Sequence, residues 1–161
     1  MRLLKSLAPL FALLLAGCAT NSSRQEYQTQ LDALWAGKQL VVKQPITVPG
    51  NISRIEYMGG AQVDKVKRFE PICRLEVNSF AQQPREIPAG DHPVQSVSYR
   101  TSTRGGPSAR ENNVATFTIV LQDSRNEVRS LVCTKESQGQ VWRMPTPEQI
   151  NTILGPTSRF E

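Results

Sequence analysis

The chain has 161 residues, with 19 lysines and arginines against 14 aspartates and glutamates, a formal net charge of +5, one histidine and three cysteines. That length suits one domain with a single core. The charge is mild and no lysine or arginine run exceeds two residues, which excludes nucleic acid as a partner class; His92, without a companion, gives no metal site, and no cofactor is indicated.

Arg2 and Lys5 form a positive n-region, and Leu7 to Leu15 an apolar h-region interrupted only by Pro9. This order is that of an export signal, and the apolar stretch falls short of the ~20 residues a spanning helix needs. Leu15-Ala16-Gly17-Cys18 then resembles the lipobox of bacterial lipoproteins. The resemblance implies a diacylglyceryl group on the Cys18 sulfur, cleavage before Cys18 and acylation of the new amine. Residues 1–17 are then the signal peptide, 18–23 a lipidated tether and 24–161 a single β-rich domain facing the periplasm. Several acyl chains hold firmly where one binds reversibly, each buried methylene contributing about 0.8 kcal/mol. By analogy with lipoprotein sorting in Gram-negative bacteria, Ala19 in place of an aspartate implies the outer membrane. Loss of Arg2 and Lys5 with the signal leaves 144 residues carrying 17 basic and 14 acidic side chains, a net charge of +3.

The first element of the mature chain is a short helix. Ser23-Arg24-Gln25-Glu26 has capping-box spacing. Tyr27, Leu31, Leu34 and Trp35 fall on one stripe, expected to be buried against the domain itself, and Gly37 closes the C-terminus. Ala19 to Ser23, five residues reaching at most about 18 Å, keep the helix near the membrane surface.

From Lys38 the periodicity becomes that of strands bounded by turn residues. "QLVVKQPITVPGN" is extended, with Pro45 at an edge or bulge and Pro49-Gly50-Asn51 as a turn. "ISRIEYM" and "AQVDKVK" flank Gly59-Gly60, a two-residue hairpin in which both residues can take positive φ. "ICRLEVNSF" places Cys73, Leu75 and Val77 on one face and Arg74, Glu76 and Asn78 on the other. Cys73 and Cys133 both lie in apolar strand-like surroundings in an exported chain, so they are expected to form a disulfide, with two buried free thiols as the alternative. Closing a loop of 60 residues contributes roughly 4 kcal/mol in the chain-entropy picture.

The stretch "AQQPREIPAGDHP" reads as an irregular loop because of Pro84, Pro88, Gly90 and Pro93, with Asp91 stabilising a turn and His92 solvated. "VQSVSYR", "NVATFTIVLQD" and "EVRSLVCTK" follow as strands, the second with a core face of Ala115, Phe117, Ile119 and Leu121, and Asp123-Ser124-Arg125-Asn126 as its turn. Between the first two, "TSTRGGPSARENN" is longer than a hairpin needs, a length typical of functional or mobile loops; Arg104 and Arg110 make it a basic tip for partner contact. Thr146-Pro147-Glu148-Gln149 supplies an N-cap, a first-turn proline and a capping-box glutamine, with Ile150, Ile153 and Leu154 as the buried stripe and Gly155-Pro156 as the stop. About seven strands with no strand–helix alternation predict a mainly β fold, an antiparallel sandwich or small barrel with a short helix at each end.

Catalytic signatures are absent from the pattern. No GxSxG elbow accompanies His92, Glu70, Glu76 and Glu86 are scattered, and Gly59-Gly60 and Gly105-Gly106 lack a phosphate-cradling context. The lipobox, together with "PICRLEV", "VRSLVCTK" and "PTPEQINTILG", resembles proteobacterial lipoproteins of unassigned function, a likeness that covers most of the mature domain and implies no activity. The expected role is a lipid-anchored, non-enzymatic cell-envelope protein that meets the membrane through its N-terminal lipid and binds an envelope protein or cell-wall partner as part of an assembly. The alternative is an envelope hydrolase acting on peptidoglycan or lipid, with Asp91, His92 and a glutamate as its site.

Overall fold

Period-two alternation is converted into strands along about half of the described residues. The computed structural model describes residues 25–78, 80–104, 112–123, 125, 127–139 and 142–161. Cys18, Arg110, the Ser23 cap and the Gly105-Gly106 pair lie outside the described residues. Contacts divide the chain at Leu34, and Trp35–Glu161 forms the β-rich unit. A helix, α1, covers residues 25–35. Gly37 follows it at φ 70°, and the Lys38 N–H donates back to the Trp35 carbonyl at 3.2 Å, which closes the last turn.

The strands are β1 (Gln39–Val42), β2 (Ile46–Val48), β3 (Arg54–Met58), β4 (Ala61–Val63), β5 (Ile72–Val77), β6 (Arg85–Ile87), β7 (Gly90–Arg104), β8 (Asn112–Leu121), β9 (Val128–Ser137) and β10 (Ser158–Phe160), with helix α2 at Pro147–Leu154. Eight of them form one sheet in the order β10-β1-β7-β8-β9-β5-β3-β4, and β2 pairs with β6 apart from it. The sheet is antiparallel and curls into a half-barrel, so the protein is mainly β with a short helix toward each end of the sequence.

Local chemistry explains the best-formed corners. Gly59 and Gly60 take φ 59° and 89° and join β3 to β4 with Met58 opposite Ala61, as a tight hairpin requires. At α2, the Thr146 hydroxyl accepts from the Gln149 N–H while the Gln149 side chain accepts from the Thr146 N–H, with Pro147 in the first turn. Gly155 ends the helix at φ 76°. A Cβ there would lie 1.9 Å from the Gly60 carbonyl oxygen, so the approach of α2 to the β3–β4 hairpin demands glycine.

The inner face of the sheet holds the core: Leu40, Tyr57, Leu75, Phe117, Ile119 and Leu131 are buried there with Ile150 and Leu154 of α2. The Trp35 ring lies 5.2 Å from Phe117 and 4.9 Å edge-on from Phe160, arrangements aromatic pairs prefer. Cys73 and Cys133 face each other across β5 and β9 and form a disulfide on this buried face. Strand β10 would leave a free edge. Asn151 of α2 covers it, donating from its amide nitrogen to the Phe160 carbonyl at 3.0 Å and accepting from the Phe160 N–H at 2.6 Å.

Three expectations are corrected. The proline-rich stretch is not an irregular loop, because it contains β6 and the start of β7. Pro93 is tolerated in β7 because Gln39, opposite it, exchanges its backbone hydrogen bonds with Glu161 on the other side, at 3.2 and 3.1 Å. The proline therefore costs no bond to β1, and a register shift between Val94 and Ser96 follows directly. Both described ends of the segment 101–113 are strand as well, since Thr101 to Arg104 pair with Ala115 to Asn112 and extend the β7–β8 ribbon. Strand number also exceeds the expected seven, with ten among the described residues, the short pairs being too brief to signal a period.

Candidate functional site

Strand alternation sends one row of side chains to the core and the other to the outer face of the sheet. On the outer face, Ile72 and Arg74 of β5, Thr134 and Glu136 of β9, Val114 of β8 and Arg104 of β7 come into register although they span more than sixty residues of sequence. The connection from β4 to β5, "DKVKRFEP", folds over this surface. Together they enclose a groove of about 600 Å³, walled by Val66 to Glu70 and floored by the strands.

One ion pair fastens the wall to the floor. The Arg68 guanidinium donates twice to the Glu136 carboxylate, Nη2 to Oε1 at 2.7 Å and Nε to Oε2 at 3.1 Å, a bidentate fit that fixes orientation as well as distance. Asn112 donates a third bond to Glu136 at 2.9 Å. The Arg68 hydrogen bond, opposed by burial and helped by the nearby positive charges of Arg68 and Arg104, holds the Glu136 carboxyl below its ordinary range. The same guanidinium lies 4.9 Å from the centre of the Phe69 ring, within cation–π reach. Phe69 adopts φ 70°, a region bulky L-residues rarely enter, and such backbone collects at clamps and binding sites. Below the groove, Glu56 accepts from Arg74 at 2.7 Å and Glu76 accepts from the Ser130 hydroxyl at 2.8 Å.

Arg104, predicted as a partner contact, is placed on this groove. It sits at the end of β7 rather than on a loop tip. Arg68, Phe69 and Glu136 were missed by sequence reasoning. Their only local sign is Phe69, an aromatic directly after the Lys67-Arg68 pair and before Pro71, in a segment that fits no strand period.

The other predicted constellation is dispersed. His92 is not solvated: it is 1% exposed, paired with Leu40 inside the sheet. Asp91 is not a turn residue but a strand residue opposite Val41, exposed where His92 is buried, so the two point to opposite faces. Glu70 lies 3.8 Å from Lys67, Glu76 is engaged by Ser130, and Glu86 is exposed on β6. His92 faces Asp123 instead, Nδ1 to Oδ1 at 3.8 Å, too far for a hydrogen bond, and neither ring nitrogen has a hydrogen-bond partner.

Asp123 is committed to the backbone beyond β8. It accepts from the N–H groups of Arg125 at 3.0 Å and of Glu127 and Val128 at 2.7 Å each. Burial opposes its charge, yet the donors from Val128, Arg125 and Glu127, with His92, hold its pKa below the ordinary value. Burial pushes His92 down, against the pull of Asp123, so the ring stays neutral. Tyr57 is pushed up to about 12 by burial, partly offset by Ser158. Among the described residues no group of three or more histidine, cysteine, aspartate or glutamate side chains is arranged to hold a metal ion. No helix among them is long and apolar enough to cross a membrane.

Comparison with protein-family models, with curated proteins and with solved structures gives no match. The groove and the buried pair are therefore weighed on their own chemistry.

Proposed function

We propose that this protein is a lipid-anchored, non-enzymatic component of the bacterial cell envelope, tethered through Cys18 at the outer membrane, facing the periplasm and binding a protein or cell-wall partner as an accessory part of an envelope assembly. The observation that carries the reading is the order of Arg2 and Lys5, the apolar run to Leu15 and the Leu15-Ala16-Gly17-Cys18 box. The Cys73–Cys133 disulfide supports it, being compatible with an oxidising compartment. The groove around Arg104 and Arg68 offers a surface for the partner. Arg104 and Arg110 are the contacts assigned to it from sequence.

Mass spectrometry of the N-terminal peptide tests the anchor. The expected product begins at Cys18 and carries acyl chains, and Cys18→Ser leaves the protein uncleaved or released from the membrane. An unmodified cysteine, or a mature chain starting elsewhere, overturns the reading.

A further inference from the structure

The outer-face groove has a definite chemical character. Lys67, Arg68, Arg74 and Arg104 line it against two carboxylates, Glu70 and Glu136, an excess of two positive charges. Arg68 is occupied by Glu136, Arg74 by Glu56, and Lys67 lies beside Glu70. Arg104 is exposed and has no ion pair within 4 Å among the described residues. The rim is also apolar: Val66 is 42% and Phe69 39% exposed, above a floor that includes Ile72 and Val114.

From these features we infer that the groove receives a short acidic peptide segment of a partner protein, one that places a carboxylate against Arg104 and an apolar side chain against Phe69 and Val66. The inference rests on the binding role proposed above and gives the partner its chemistry. A planar guanidinium suits a carboxylate by geometry as well as charge. Arginine next to an aromatic is the composition of interface anchors, and here stacking on Phe69 and the bidentate bond to Glu136 hold Arg68 in place before any partner arrives, which lowers the ordering cost of binding. The concavity and the two carboxylates inside it argue against a lipid surface, whose dense anionic charge would meet Glu70 and Glu136. A single acidic side chain followed by an apolar one meets neither obstacle. Phe69, 39% exposed, lines the groove and leaves part of its surface open to a partner.

The test uses the full-length protein in detergent and a fluorescein-labelled peptide of alternating glutamate and leucine, followed by fluorescence anisotropy. Saturable binding that weakens with added salt is expected, with no binding of the lysine–leucine counterpart. Arg104→Glu is expected to weaken it about tenfold by placing like charges together. Phe69→Gly removes the apolar wall and is expected to weaken binding while leaving the melting transition in place or raising it, because glycine accepts positive φ. Equal binding of the lysine peptide, unchanged affinity in both variants, or displacement of the probe by phosphatidylglycerol vesicles with the same dependence on Arg104 overturns the inference. In intact cells, a photo-crosslinking residue at position 66 is compared with one at position 159. Adducts from position 66 to a peptide with adjacent acidic and apolar residues support the groove. Adducts from position 159 alone overturn the groove and leave the binding role standing, and adducts from neither overturn both.

Discussion

Two pairs of ionisable groups stand toward opposite ends of β8, and they behave in opposite ways. His92 and Asp123 are 1% and 3% exposed; Arg68 and Glu136 are 62% and 15% exposed. In the sealed pair the carboxylate spends its oxygens on three backbone N–H groups and the imidazole is neutral, so the charge serves the chain's own connection from β8 to β9. In the open pair the guanidinium is shared between a carboxylate, an aromatic face and solvent. The difference teaches that burial, more than residue type, decides whether a charged group is consumed by the fold or left available to a partner. His92 and Asp123 are internal in this fold, while Arg68 and Glu136 line an exposed groove.

The strongest way to break the contrast is Asp123→Ala. It leaves three N–H groups of a tight connection without their acceptor, and the expected loss is about 3 kcal/mol, read as a lower urea midpoint with an unchanged slope. A loss no greater than that of an ordinary exposed carboxylate would show that water replaces the side chain there. A smaller effect comes from pH. His92 is the single histidine, and its folded pKa lies below its ordinary value of 6.5. Below about pH 6.5 the unfolded chain takes up a proton that the folded chain refuses, so stability is full above that pH and falls as the solution is acidified toward the depressed folded value. Asp123, also depressed, contributes stability above its ordinary value that is lost only at still lower pH, as the solution passes down through its folded pKa. Asp91, Arg125 and Glu127 also act on the imidazole and set how far the first window extends. Urea titrations between pH 7.5 and about 5 are expected to show this decline in the native protein and a flat profile in His92→Leu, with the variant at least as stable at neutral pH because two unpartnered nitrogens are gone.

How far the sequence makes these two regions legible follows from the range of the interactions involved. Gly59-Gly60 and the Thr146 capping box declare themselves within four residues, and both stand as read. So does the alternation of Cys73, Leu75 and Val77, and with it the disulfide, since two inward cysteines on neighbouring strands need only the correct register to meet. His92 defeats the same reasoning because Pro88, Gly90 and Pro93 signal a loop. The proline fits the strand only because Gln39 turns its hydrogen bonds toward Glu161, a fact of tertiary pairing with no local trace. The groove is less legible still: its members come from the β4–β5 connection and from β5, β7, β8 and β9. No pattern along the chain announces that Arg68 will meet Glu136, 68 residues later. Arg104 was picked out as part of a basic tip, and it stands instead on a strand end beside a concave surface.

The smallest expected effect on stability belongs to Glu136→Gln, and it sharpens the comparison most. The open pair is hydrated, so its attraction is screened and largely offset by the cost of ordering a long arginine side chain. The amide keeps the acceptor oxygen for Asn112 and for one Arg68 N–H, and the melting transition should move little. Binding should move in the other direction. Removing one of the two carboxylates leaves the groove with an excess of three positive charges instead of two, and Arg68, no longer neutralised, adds a second free guanidinium beside Arg104. The glutamate–leucine peptide is therefore expected to bind more tightly to Glu136→Gln than to the native protein, with a steeper dependence on salt. If affinity falls instead, Arg68 matters through the position Glu136 imposes on it rather than through its charge. Asp123→Ala, at the sealed end, offers no such trade: it is expected to cost stability without improving binding.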